Sequence, residues 1–220
     1  MNFKDFYNER DFDKRWNLVQ RNLPDFLNKK GWKKIGSGAY STVYSKIGKN
    51  YVIKVFEDDH AYQLYLEFIQ QNRNNPHVPK IQKIMIDASK QKEINTNEVG
   101  IIMMEKLKPV EYSDISWRFL ILENFKQYLR NVDAIHTPLD EFLEYFKKRY
   151  IQEYGHRKYH FKSIKRFDYF LESNLEICRL LYNLRKFLQQ KGENKFFDLH
   201  SGNFMIRPST GEIVVSDPIA

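Results

Sequence analysis

The spacing of apolar residues changes near residue 110 of this chain, and the change limits what the chain can fold into. From Gly31 to about Leu107 apolar and polar residues alternate in short runs broken by glycine turns, whereas from about Tyr112 to Lys191 apolar residues recur every three or four positions. Alternation puts every second side chain on one face of a strand, and the longer recurrence puts side chains on one face of a helix. A strand-rich segment followed by a helix-rich one implies an α+β protein.

Within the first segment, Trp32-Lys33-Lys34-Ile35 leads through Gly36-Ser37-Gly38-Ala39-Tyr40-Ser41 into Thr42-Val43-Tyr44-Ser45-Lys46-Ile47. A second turn at Gly48-Lys49-Asn50 opens Tyr51-Val52-Ile53-Lys54-Val55-Phe56, so three antiparallel strands are expected in a meander. His60 to Gln71 carries Ala61, Leu64, Tyr65 and Phe68 at helical spacing. Two more runs, Val78 to Ile86 and Val99 to Met104, bring the expected sheet to five strands, and Glu105-Lys106-Leu107-Lys108-Pro109 reads as a connector. Ahead of the sheet, Phe12, Trp16, Val19 and Leu23 outline an amphipathic helix that Pro24 is expected to break or kink. The expected division is a helical extension over 1–30, a sheet lobe over 31–107 and a mainly helical lobe over 108–220.

Three helical stripes fill the second segment. Phe119, Leu122, Phe125, Leu129 and Val132 form one; Leu139, Phe142, Leu143, Phe146 and Tyr150 form another after Thr137-Pro138. The third, through Phe167, Phe170, Leu171, Leu175, Cys178, Leu181, Leu184 and Leu188, stops at Lys191-Gly192, where glycine suits a helix end. All three are expected to face the core. Between the second and third lies a basic and aromatic segment, residues 154–166, whose mix suits either a solvated loop or nucleic-acid contacts, with the loop favoured. His156 and His160 within it share a spacing of four, but no third metal ligand stands nearby.

Composition narrows the classes. The 220 residues are 42% hydrophobic and 15% aromatic, above what a disordered chain carries. A single cysteine, Cys178, excludes an internal disulfide and suits a reducing compartment. The charged start Met1-Asn2-Phe3-Lys4-Asp5-Phe6 lacks a signal-peptide run and no window is apolar enough to span a membrane, so the cytoplasm is expected. A net charge of +8 favours an anionic partner without naming it.

Phosphoryl transfer calls for a carboxylate beside the accepting hydroxyl, an amide oxygen for a metal, and a second carboxylate for metals that bridge nucleotide phosphates. Asp198 and Asn203 in Phe197-Asp198-Leu199-His200-Ser201-Gly202-Asn203, and Asp217 after Val214-Val215-Ser216, fit those needs in order and spacing. Each alone is also what an ordinary polar turn contains. Lys54 stands in an apolar strand, where an ammonium is costly unless it meets an anion or the strand has a wet face. Glu67, on the helix that follows, is a candidate partner for it.

In this order of parts the chain resembles the protein-kinase-like superfamily over about residues 31–220, and its ending looks most like the small serine/threonine kinases of tailed phages. The resemblance implies a bilobal kinase-like fold with a five-stranded antiparallel N-lobe and a reduced helical C-lobe, using ATP and Mg2+. It implies that Gly36, Ser37, Gly38 and Ala39 cover the phosphates, Val43 closes over the base, and Met104, Glu105 and Leu107 line the adenine pocket. Lys54, held by Glu67, would meet the α- and β-phosphates, Asp198 would accept the acceptor hydroxyl's proton or orient that hydroxyl, and Asn203 and Asp217 would hold the metal.

The sequence departs from that family at several points. Ser41 replaces the third loop glycine, Phe196-Phe197 replaces the His-Arg before the catalytic aspartate, and Pro218-Ile219-Ala220 follows Asp217. No control by activation-loop phosphorylation and no activation segment are therefore expected. The implied partner is a protein with a Ser/Thr hydroxyl, a host protein in the host cytoplasm if the source is viral. His200, where protein kinases carry lysine, keeps a small-molecule kinase of the aminoglycoside or choline type open. A third reading is a pseudokinase acting as a nucleotide-dependent binding module, against which the full set of metal and phosphate residues argues.

Overall fold

Alternation in the first segment resolves into a sheet with two different faces. In the computed structural model, residues 23–57, 59–86, 99–110, 117–154, 160–193 and 201–219 are described; the stripe residues Phe12, Trp16 and Val19 lie outside them, as do His156, Asp198 and His200. Five strands, β1 (Trp32–Ser37), β2 (Ser41–Lys46), β3 (Tyr51–Glu57), β4 (Ile81–Ile86) and β5 (Val99–Glu105), pair antiparallel in the order β1-β2-β3-β5-β4. The first turn of the meander is closed by the Gly38 N–H donating to the Ser41 carbonyl at 2.8 Å. The second uses Gly48 in the left-handed region, φ 76°, which a side chain would resist.

One face of this sheet, with Tyr44, Ile53 and Ile101, is covered by Leu23 and Leu27 of α1 (residues 23–29). Described helical residues run from 23 to 29 with Pro24 among them, and the break or kink expected there concerns the stripe through Phe12, Trp16 and Val19, which lies outside the described residues. Gly100 sits opposite Phe56 in the β3–β5 ladder, and a side chain on it would run into the Phe56 ring.

The chain divides into two compact units that do not follow its order. The sheet unit takes the residues before Asp59 together with Ile81–Lys106; the other takes Asp59–Lys80 and everything from Leu107. Helix α2 (His60–Gln71) thus belongs with the helical unit, although it lies between two strands of the sheet in sequence. Asp59 caps it by accepting from the Tyr62 N–H at 2.8 Å.

The helical unit contains α3 (Trp117–Arg130), α4 (Leu139–Tyr154) and α5 (His160–Gln190). The predicted stripes meet in an aromatic core: Phe125 lies 5.4 Å from Phe142 and 5.2 Å from Phe146, and Phe146 lies 5.2 Å from Phe167, all four rings fully buried. The helix that carries the third stripe is kinked. Asn174 has φ −132° and breaks α5 in the middle, and its own amide donates to the Phe170 carbonyl at 2.9 Å, satisfying one group the kink releases. Past the kink Cys178, Leu181, Leu184 and Leu188 keep the predicted buried face and Ile177 joins it, while Leu171, before the kink, and Leu175, just after it, are only half-buried. The predicted stop holds: Gly192 has φ 71°, the Glu193 N–H returns to the Leu188 carbonyl and the Gly192 N–H to that of Gln189.

A second, three-stranded sheet completes this unit, β6 (Lys108–Pro109), β7 (Phe204–Ile206) and β8 (Ile213–Val215), in that order. The β7–β8 turn closes with Gly211 at φ 73°, its N–H donating to the Arg207 carbonyl at 2.9 Å.

Candidate functional site

In the sheet unit, register decides which candidates share a face. Lys54 is directly opposite Val43 on β2 and Ile102 on β5, and Val52, two residues earlier, is opposite Met104. Cross-strand partners and residues two apart point the same way, so Val43, Lys54 and Met104 lie on one face, the one α1 does not cover. Lys54 is only 6% exposed, which rules out the wet-face alternative for it. Gly36 pairs with Val43 at a register shift in β1, and Ser37, Gly38 and Ala39 at the hairpin tip are exposed. Neither glycine needs its freedom for a left-handed backbone, and nothing among the described residues lies within 4 Å of where a Gly36 side chain would start. Glu105 ends β5 opposite Tyr51, and both it and Leu107 are half-buried.

In the other unit, the two predicted metal ligands are brought together by the β7–β8 hairpin. Asn203 immediately precedes β7 and Asp217 follows β8 by two residues, so both stand at the open end of one hairpin. The Asn203 carbonyl accepts from the Ser216 N–H at 2.8 Å and from the Ser216 hydroxyl at 3.1 Å, which fixes one strand end against the other. Both side chains remain partly exposed. An amide oxygen and a carboxylate suit Mg2+, which takes oxygen ligands and is commonly held by one or two protein groups, with water and phosphate oxygens completing its octahedron. No group of three or more His, Cys, Asp or Glu residues that could hold a metal by itself is present among the described residues.

The hairpin is held by side chains from α2 and the loop after it. The Tyr65 hydroxyl donates to the Val215 carbonyl, and the Val215 N–H donates to the His77 carbonyl at 2.9 Å. His77 Nδ1 meets the Ile213 carbonyl at 2.7 Å. Arg207, 2% exposed, donates to the carbonyls of Pro76 at 2.6 Å and Val78 at 3.0 Å and pairs with Glu212 at 2.5 Å. Burial pushes the hydroxyls of Tyr62 and Tyr65 well above the ordinary phenol range, and the nearby Asp217 carboxylate pushes both further. Sequence periodicity marks Tyr65 only as one more apolar position on α2, and it gives no sign of Tyr62, His77 or Arg207.

Glu67 is bound within its own unit: its Oε1 accepts from Lys191 Nζ at 2.6 Å on a half-exposed surface. Cys178 is fully buried, and burial raises its thiol far above the range where a thiolate forms, so it is a packing residue. Among the described residues no helix is long and apolar enough to cross a membrane.

No protein-family model matches the chain, and no curated protein matches it. Among solved structures the chain is similar to the aminoglycoside phosphotransferase APH(3'')-Id from Streptomyces rimosus, with 11% identity and a TM-score of 0.38, over 94% of this chain and 78% of that one. At that identity and that score the likeness assigns this chain neither a substrate nor a chemistry.

Proposed function

We propose that the protein is an ATP- and Mg2+-dependent phosphotransferase. The observation that carries the reading is the β7–β8 hairpin, which sets the amide of Asn203 and the carboxylate of Asp217 at one open, partly exposed end. Supporting it is a lysine, Lys54, buried on the sheet face that also bears Val43 and Met104, where an ammonium is stable only with polar partners. In this reading Lys54 engages phosphate oxygens, the hairpin of Gly36, Ser37, Gly38 and Ala39 offers backbone N–H groups to them, and Asp198 orients the acceptor hydroxyl. Bound at Asn203 and Asp217, Mg2+ would offset the charge that develops on the transferred phosphoryl group.

The acceptor is a hydroxyl, either Ser/Thr of a protein or part of a small molecule. Labelled ATP offered with Mg2+ to a mixed protein acceptor and, in parallel, to sugars and aminoglycosides tells the two apart. Asp217→Asn is expected to cut transfer at least about hundredfold, the scale on which one charge-stabilising group acts. A wild-type protein that transfers phosphate to none of these acceptors and binds no metal–nucleotide complex would remove the reading.

A further inference from the structure

β8 is an edge strand of three residues, too short to hold its own position, and Asp217 follows it by only two residues. An edge strand ordinarily leaves its outward N–H and C=O groups to water. Here they have partners from one neighbouring stretch of chain. The Ile213 carbonyl takes His77 Nδ1, the Val215 N–H takes the His77 carbonyl, and the Val215 carbonyl takes the Tyr65 hydroxyl. Tyr65 is 1% exposed and Val215 fully buried, so no water replaces that last bond if it is lost.

We propose that Tyr65, assisted by His77, is a positioning residue for the metal ligand Asp217: it pins the backbone of β8 to α2 and thereby sets where the carboxylate stands relative to Asn203. The proposal rests on the phosphotransferase reading. Its physical ground is that Mg2+ demands nearly ideal octahedral geometry, so ligands carried at the end of a three-residue strand serve only if that strand cannot shift. The Ser216 bonds tie the two ligand-bearing ends to each other, and the Tyr65 and His77 bonds tie that pair to the rest of the unit. The phenol is suited to the task because, buried beside a carboxylate, it stays a protonated donor at any ordinary pH.

Tyr65→Phe removes the hydroxyl and keeps the ring. Tyr182→Phe is the matched control in the same unit: its hydroxyl donates to the carbonyls of Ala134 and Thr137 in the loop between α3 and α4, so it too loses a buried phenol bond. Binding of Mn2+ in the presence of a non-hydrolysable ATP analogue, followed by the loss of the free-ion electron-spin signal, reads metal geometry without turnover. Tyr65→Phe is expected to weaken Mn2+ binding about tenfold, the usual scale for a residue that orients a ligand, and Tyr182→Phe less than about twofold. Binding of the analogue without metal should be alike in all three proteins, and both variants should melt a few degrees early.

Equal Mn2+ affinity in Tyr65→Phe and wild type, or equal weakening in both variants, overturns the positioning role while leaving the phosphotransferase reading intact. A wild-type protein that takes up no Mn2+ with the nucleotide analogue overturns both. If Tyr65→Phe does not fold, His77→Leu takes its place, removing one tie and weakening Mn2+ binding about threefold; unchanged binding there overturns the proposal equally.

Discussion

The β1–β2 hairpin has six-residue strands held by their ladder and by a backbone bond at the tip, while the β7–β8 hairpin has three-residue strands held by side chains from elsewhere in its unit. In the first, all of β1 beyond Trp32 is exposed, and a Gly36 side chain would meet nothing among the described residues. In the second, Phe204, Val214, Val215 and Arg207 are all buried. If the protein is the phosphotransferase proposed above, the difference matches two kinds of work. A backbone loop that closes over phosphates has to move, and leaving it unpacked allows that; ligands for a small, exacting cation have to stay, and a short hairpin stays only if other elements grip it.

The open hairpin grows from a sheet that is packed tightly at β3 and β5. Gly100→Ala tests this and carries the largest expected effect. The added methyl meets the Phe56 ring at a distance real side chains never show, and Phe56, 1% exposed, has no room to withdraw. We expect a loss of about 3 kcal/mol, read as a lower denaturation midpoint with unchanged slope. A loss under about 1 kcal/mol would mean that the sheet yields as easily as the loop.

Glu212→Gln loosens the gripped hairpin. Glu212 accepts from the Thr210 hydroxyl at 2.6 Å and pairs with the buried Arg207, and these two, in that order, hold its carboxyl below the ordinary range. Removing the charge takes one ion-pair partner from the Arg207 guanidinium, which keeps two carbonyls, and Glu212 is partly exposed, so the expected cost is about 2 kcal/mol at neutral pH and not the full cost of a buried pair. A folded carboxyl held below its unfolded value stabilises fully above the unfolded value, and the contribution fades as pH falls through the folded one. The gap between wild type and variant should therefore be constant above about pH 5 and shrink in acid. A gap that widens in acid would show that the pair does not hold the hairpin.

How much of this was readable beforehand follows from the range of the forces. Alternation and turns are local, so all five strands of the first sheet and the Gly192 stop could be read from neighbouring residues. The grip on β8 could not, because Tyr65 reaches a carbonyl 150 positions away and at helical spacing looks like another core residue. The same holds for Gly100, which reads as part of an apolar run until the β3–β5 register sets Phe56 against it. Asn174 had a local signal, a polar residue inside an apolar stripe, but its meaning as a kink depends on the amide turning back to Phe170. The division into units was hidden for a similar reason. α2 follows β3 in sequence, and long-range contacts such as its bonds to β8 and to Lys191 show which body it belongs to.

Gly36→Ala carries the smallest expected effect on stability and addresses the open hairpin itself. The backbone there is not left-handed, and a methyl would stand in open space, so an alanine costs no strain and loses less chain entropy on folding than glycine. Stability should change by less than about 0.5 kcal/mol in either direction. If the glycine serves to let a phosphate approach the backbone, the same methyl intrudes on the bound nucleotide, and the KM for ATP should rise several-fold while kcat stays nearly level. That split is the informative outcome, because it separates a surface kept clear for a ligand from a turn that merely tolerates glycine. An unchanged KM with unchanged stability would make Gly36 an ordinary turn residue, and the contrast between the hairpins would then concern packing alone.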